Sequence, residues 1–138
     1  MVNYDDIYKI QWKEDTKKTF IGPRKRLVLK LFPFNRGKNI DIGCGTGDFI
    51  KILSNKGINI LGVDFSKEQL KSAWDYIQEK GIDAKLFKSQ LNELDKEVFE
   101  DEMFDYGLFI GALHCLDNEE KRLTSLKEFY RVLKVRGE

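Results

Sequence analysis

The sequence predicts an α/β domain: a three-layer fold in which a parallel sheet carries helices on both faces. Three observations predict it. Short apolar runs alternate with segments whose apolar residues recur at helical spacing. The first apolar run ends in a glycine-rich turn, Gly43-Cys44-Gly45-Thr46-Gly47, and the second ends in a lone acid, Asp64. The length, 138 residues, suits one domain around a single hydrophobic core. Strands joined through helices cross over right-handed and lie parallel.

Residues 5–19 carry a loose helical pattern. A helix is predicted over residues 22–32, with Pro23 in its first turn and Leu27, Val28, Leu31 and Phe32 on one face; Pro33 ends it. Residues 39–42 form the first strand and run into the glycine turn. The helix after the turn sets Phe49, Ile50 and Leu53 on one side and stops at Gly57. Residues 58–63 are the second strand, closed by Asp64. Ser66 is the N-cap of the next helix, with Gln69 three residues on completing a capping box. That helix is expected to bury Leu70, Trp74 and Ile77 and to stop at Gly81. Residues 84–87 read as a third strand and residues 88–103 as a polar, acidic connection. Residues 104–110 read as a fourth strand, nearly all apolar as expected of a strand covered on both faces. The last helix covers residues 119–133, with Leu123, Leu126, Phe129, Tyr130 and Leu133 on one side.

Composition narrows the class. Hydrophobic residues make up 41%, charged residues 34% and aromatic residues 12%, which excludes a disordered chain. The longest nearly apolar run, residues 106–116, is interrupted by His114 and is shorter than the roughly 20 residues a membrane span needs. The first residues have neither the basic start nor the apolar stretch of a secretory signal. Two cysteines and one histidine cannot supply a four-ligand zinc site without carboxylates. A cytoplasmic protein with free thiols is expected, with no membrane partner.

The net charge of +1 hides an asymmetry: residues 9–38 carry ten Lys/Arg against Glu14 and Asp15. The chain therefore divides into an N-terminal helical, basic segment, residues 1–37, and a core, residues 38–138. The basic segment suits a polyanion, or is a solvated helix face beside an acidic body.

Ligands of parallel sheets bind beyond the carboxyl ends of the strands, at the point where strand order reverses. The glycine turn, Asp64 and the segment from Gly111 to His114 all fall at such ends and are expected to line one crevice. Glycines let a ligand approach the backbone, and the helix N-terminus behind them favours an anionic group. Asp64, 21 residues after Gly43, suits the hydroxyls of a ribose. These features indicate an adenosine-type cofactor. The dinucleotide fingerprint is not met, because its third glycine position holds Asp48. Asp41, two residues before Gly43, would repel a pyrophosphate and attract an ammonium or sulfonium. S-adenosylmethionine, an amino-acid nucleoside with both charges, fits better than a dinucleotide.

The successive motifs Asp41-Ile42-Gly43-Cys44-Gly45-Thr46-Gly47, Gly62-Val63-Asp64-Phe65-Ser66, Phe104-Asp105-Tyr106 through Gly111-Ala112-Leu113-His114, and Phe129-Tyr130-Arg131-Val132-Leu133-Lys134 resemble those of class I S-adenosylmethionine-dependent methyltransferases of the methyltransferase domain 11 kind. The resemblance covers about residues 38–136 and implies their Rossmann-like fold. It implies that Asp41 and the backbone of Gly43, Cys44, Gly45 and Gly47 hold the methionine part. Asp64 then binds the ribose, and Phe65 packs by the adenine. Gln90 and Leu91 flank the ring, with Gln90 where the family commonly has Asp. Ile110 and Gly111 lie beside the reactive methyl.

Methyl transfer by in-line displacement needs alignment more than acid–base help, and no metal. His114 is the one candidate general base, or else shapes the pocket or caps a turn. Cys44 and Cys115 read as small packing residues, and Trp74 as helix-on-sheet packing. Tyr4, Tyr8 and Trp12 lie in a segment that either folds over the cofactor as a lid or packs. Glu119-Glu120-Lys121-Arg122-Leu123 followed by Leu126-Lys127-Glu128 resembles methyltransferases that complete wobble-uridine modification in tRNA, and reads equally as a solvated amphipathic helix. Many family members continue past Arg-Val-Leu-Lys with Pro-Gly-Gly and further strands, where this sequence reads Lys134-Val135-Arg136-Gly137-Glu138. The expectation is a C-terminally truncated domain whose fourth strand lies at an exposed edge, open to self-association or a partner. The expected function is methyl transfer to a small-molecule or tRNA acceptor. Its rivals are a non-catalytic S-adenosylmethionine-binding or partner-activating module, and an NAD-binding oxidoreductase.

Overall fold

A computed structural model describes residues 22–31 and 37–136. The pattern over residues 5–19, the residues Tyr4, Tyr8, Trp12, Phe32 and Pro33, and the last two residues lie outside them. The elements are α1 (Pro23–Leu31), β1 (Asn39–Ile42), α2 (Asp48–Ser54), β2 (Leu61–Asp64), α3 (Lys67–Lys80), β3 (Leu86–Lys88), β4 (Tyr106–Leu108), a 3-10 turn at Leu113–Cys115, and α4 (Glu119–Val132). The four strands are parallel in the order β3-β2-β1-β4. The chain steps outward from β1 to β3, then crosses back to place β4 on the other side of β1. Strand order thus reverses at β1, and β1 is the most protected strand, buried at all four positions. The domain is the predicted parallel α/β fold, with β4 at the edge of the described sheet.

Each face of the sheet has its own core. On one, Ile40, Ile42 and Val63 meet Leu91, Leu94, Phe99, Phe104 and Val132. On the other, Leu108 meets Phe49, Ile50 and Leu53 of α2 and Ile77 of α3. Gly62 lies on this second face, where a Cβ would stand 2.8 Å from each of Cys44 Sγ, Ile50 Cδ1 and Leu86 Cδ2. Three buried neighbours cannot all retreat in a close-packed layer. Gly62→Ala is therefore expected to lower stability by about 1–3 kcal/mol, read as a lower urea midpoint with unchanged slope. An unchanged midpoint would show that the α2 layer is loosely packed.

Several elements differ from their sequence patterns for identifiable reasons. The strand expected over residues 104–110 pairs only at Tyr106–Leu108, because its partner β1 ends and turns away at Gly43. Phe104 instead pairs with Leu133, its N–H donating to Val132 O and its carbonyl accepting from Lys134 N. The second strand begins at Leu61, not at residue 58; Ile58 N–H closes onto Leu53 O at the end of α2. The third pairs over Leu86–Lys88. Trp74 is 48% exposed, because α3 buries Gln69, Leu70, Ala73 and Ile77. One residue past Ala73 is about 100° around the helix. On α4 the buried residues are Ser125 and Val132, while Leu123, Leu126 and Tyr130 are exposed. Phe129 packs over Gly107, which turns the Leu123 and Leu126 side out past the sheet edge. Leu27 and Leu31 of α1 are likewise exposed, and Val28 and Leu29 make its contact with the core.

The connection over residues 88–103 contributes core of its own through buried Leu91, Leu94 and Phe99. Two charged residues of α4 hold it. Glu128 Oε2 accepts from Leu94 N at 2.9 Å, and Arg131 donates to Phe99 O at 2.7 Å. Arg131 also binds Glu128 through two bonds of 2.9 and 3.0 Å and holds its carboxyl below the usual range. Among the described residues no helix is long and apolar enough to cross a membrane.

Candidate functional site

The turn after β1 is built from its backbone. The amides of Gly43 and Cys44 both donate to Val63 O, at 2.7 and 3.0 Å, which ties the turn to the end of β2. Gly47 N–H closes onto Cys44 O at 3.0 Å. Gly43 has φ +75°, and a Cβ on it would collide with the Ala112 methyl, so only glycine allows the segment after β4 to approach this closely. Asp64 fixes the far side: Oδ2 accepts from Gly45 N and Oδ1 from Ser66 N, both at 2.8 Å.

Around this frame lies a cleft at the carboxyl ends of β1, β2 and β4. Of the residues singled out in the sequence, Asp41, Gly43, Cys44, Gly45, Asp64, Phe65, Ile110 and Gly111 line it together. Gly47 does not; it caps α2 in a left-handed conformation against Ala73. Gln90 is exposed and Leu91 is fully buried in the core, and neither lines the cleft. His114 is exposed in the 3-10 turn, off the cleft lining, with Nε2 3.5 Å from Cys115 Sγ. Neither Cys44 nor Cys115 is in a disulfide; both are buried and line the cleft. Burial pushes the Cys44 thiol well above its ordinary range, helped by Asp41 and Asp64, so it is no nucleophile at neutral pH.

Sequence reasoning missed Arg24 and Lys25 of α1, Asp48, and Gln69, which also line the cleft. Lys25 pairs with Asp48. The basic content of α1 was visible in sequence; its placement over the cleft is a tertiary fact. The expected capping box forms only by half. Ser66 Oγ accepts from Gln69 N at 3.4 Å, but Ser66 N–H already belongs to Asp64, which releases the Gln69 side chain.

Asp41 sets the electrostatics. It is 3% exposed, and its carboxylate makes no hydrogen bond among the described residues. Burial first, then Asp64 and Asp48, push its pKa up to about 8, against the pull of Lys25. A buried carboxylate that faces a cleft and has no hydrogen-bond partner among the described residues suits a cationic ligand. Among the described residues no group of His, Cys, Asp and Glu is placed to hold a metal ion.

A sheet that reverses order at β1, a glycine turn after it and an acid closing the next strand define the class of α/β domains that bind nucleoside cofactors at strand ends. The chain belongs to the methyltransferase domain family, whose pattern matches residues 40–138. It is 32% identical over 98 residues to probable tRNA methyltransferase 9B of Mus musculus, covering 71% of this chain and 20% of that protein. It is 34% identical over 118 residues to a demethylmenaquinone methyltransferase of Staphylococcus aureus, covering 83% and 46%. The chain thus spans less than half the length of these curated relatives. The solved structure of the PH0226 protein from Pyrococcus horikoshii superposes with TM-score 0.81 at 27% identity, over 96% of this chain and 62% of that one.

Proposed function

We infer that the cleft binds S-adenosylmethionine and that the protein acts as a methyltransferase on a bound acceptor. The observation that carries this reading is Asp41. Its carboxylate, buried and without a hydrogen-bond partner among the described residues, is matched by an ammonium and mismatched by a pyrophosphate, which argues against a dinucleotide. The donor set fits the rest of the molecule. Asp64, Phe65 and Arg24 line the cleft and offer an acceptor for a ribose, a ring for an adenine face and a cation for the amino-acid carboxylate. When bound, S-adenosylmethionine supplies a methyl group on a sulfonium, an electrophile already activated. The protein's share is to hold and align, and the charge pattern of Asp41, Asp64 and Arg24 is built for that. His114, exposed and off the cleft lining, is better read as part of its turn than as a general base.

For the acceptor, we favour tRNA over a small molecule. A relative named as a probable tRNA methyltransferase supports it. So does α1, which shows Arg24, Arg26 and Lys30 at the surface beside the cleft and carries no acid along its length. Two cysteines outside any disulfide, Cys44 and Cys115, suit a cytoplasmic setting.

Calorimetric titration tests the cofactor. S-adenosylmethionine is expected to bind in the micromolar range and NAD not at all. Binding of NAD without S-adenosylmethionine would overturn the reading in favour of an oxidoreductase.

A further inference from the structure

Among the described residues β4 pairs with β1 alone, so its other side is an open sheet edge. Tyr106 N–H turns inward to Lys38 O, and alternation along the strand points the backbone groups of Gly107 and Phe109 outward. Proteins normally blunt such an edge with charges, proline or a bulge. Residues 106–113 contain no charged residue and no proline. An apolar groove runs beside the edge, with Phe109, Ile110 and Leu113 on one wall and Leu126 and Phe129 of α4 on the other.

The outer face of α4 continues this apolar surface. Leu123, Leu126 and Tyr130 are 53%, 44% and 82% exposed, and their spacing sets them on one side of the helix. The same side begins at Glu119 and Glu120 and includes Lys127, and Arg136 lies beyond its end; all four are exposed. The face is therefore acidic at its start, apolar in the middle and basic toward its end. Such a face matches an antiparallel copy of itself and opposes a parallel one. A two-fold axis normal to the sheet satisfies both elements at once. It sets two β4 edges antiparallel, so that the outward groups of Gly107 and Phe109 find strand partners. It also leaves both copies of α4 on one face of the joined sheet, side by side and antiparallel. The apolar residues of the two helices then meet, and the acids of each copy face the basic half of the other. We propose that the chain forms a two-fold dimer with a second copy of itself through the β4 edge and the outer face of α4. This holds whichever ligand the cleft takes.

Sedimentation equilibrium on the full chain tests it. Twice the chain mass is expected at about 100 μM, with dissociation on dilution. Reversing the acids (Glu119→Lys with Glu120→Lys) or the bases (Lys127→Glu with Arg136→Glu) is expected to weaken dimerisation about 10-fold, because the symmetry repeats each pairing. Combining the two reversals restores complementarity and should return dimerisation close to wild type, which a purely structural effect of either would not do. Amide hydrogen exchange on the wild type supplies a readout that needs no variant. Protection of the Gly107 and Phe109 amides is expected to rise with protein concentration. A chain that stays monomeric at every concentration would overturn the proposal and leave this face to another protein. So would a dimer that ignores both reversals, or one that leaves those two amides unprotected, since it would be built on a different face.

Discussion

Asp64→Ala is expected to weaken S-adenosylmethionine binding by about 100-fold or more, because it removes two things at once. The first is the acceptor that the proposed site offers to ribose hydroxyls. The second is the brace of the site, since the carboxylate ties Gly45 N to Ser66 N and so joins the glycine turn to the cap of α3. Each bond is charge-assisted, the one from Ser66 N buried and the one from Gly45 N part-buried, and each is worth about 1.5–3 kcal/mol. The ligand-free protein should therefore also unfold at lower urea concentration. Asp64→Asn separates the two effects. It keeps the shape and one acceptor oxygen, so it should recover most of the stability and less of the affinity. Calorimetry and urea unfolding on both variants check this. Wild-type affinity in Asp64→Ala would remove Asp64 from the site.

The parts of this site legible in the sequence are those fixed by neighbours in the chain. The glycine turn and Asp64 each follow a strand directly, so the fold's rule that ligands sit at strand ends placed them in one crevice. What stayed hidden depends on residues distant in sequence. The acidic look of residues 88–103 concealed Leu91, Leu94 and Phe99, because their burial is secured by Glu128 and Arg131 more than 30 residues later. Gln69 was misread for the opposite reason. A local capping rule assigned it to Ser66 N, and a carboxylate from the preceding strand had taken that amide. The exposed side of α4 shows a third limit. Periodicity identifies an apolar face, but only the position of the sheet edge tells how much of that face is covered.

Asp41 yields the second large effect, a pH dependence with a defined sign. In the unfolded chain its carboxyl titrates near its ordinary 3.8, whereas in the folded, ligand-free protein burial and the nearby Asp64 and Asp48 raise it to about 8. Below pH 4 it is protonated in both states and costs nothing. As pH rises from 4 to 8 the unfolded state sheds this proton and the folded state retains it, so stability falls across that window and levels off above it. The contribution is on the order of several kcal/mol. Asp41→Asn should abolish this slope and leave the ligand-free protein more stable than wild type at pH 8, as read by thermal unfolding at pH 5 and pH 8. Ligand binding should show the reverse trend. An ammonium placed beside Asp41 favours the ionised carboxylate, so binding expels a proton below pH 8 and affinity climbs as pH rises toward 8. Calorimetry in buffers of different ionisation enthalpy counts that proton directly. Asp41→Asn should release none and bind S-adenosylmethionine more weakly at every pH, so the one substitution stabilises the fold and impairs the site. Equal proton release from the variant and the wild type would locate the coupling elsewhere in the cleft and remove Asp41 as the ligand of the cationic group.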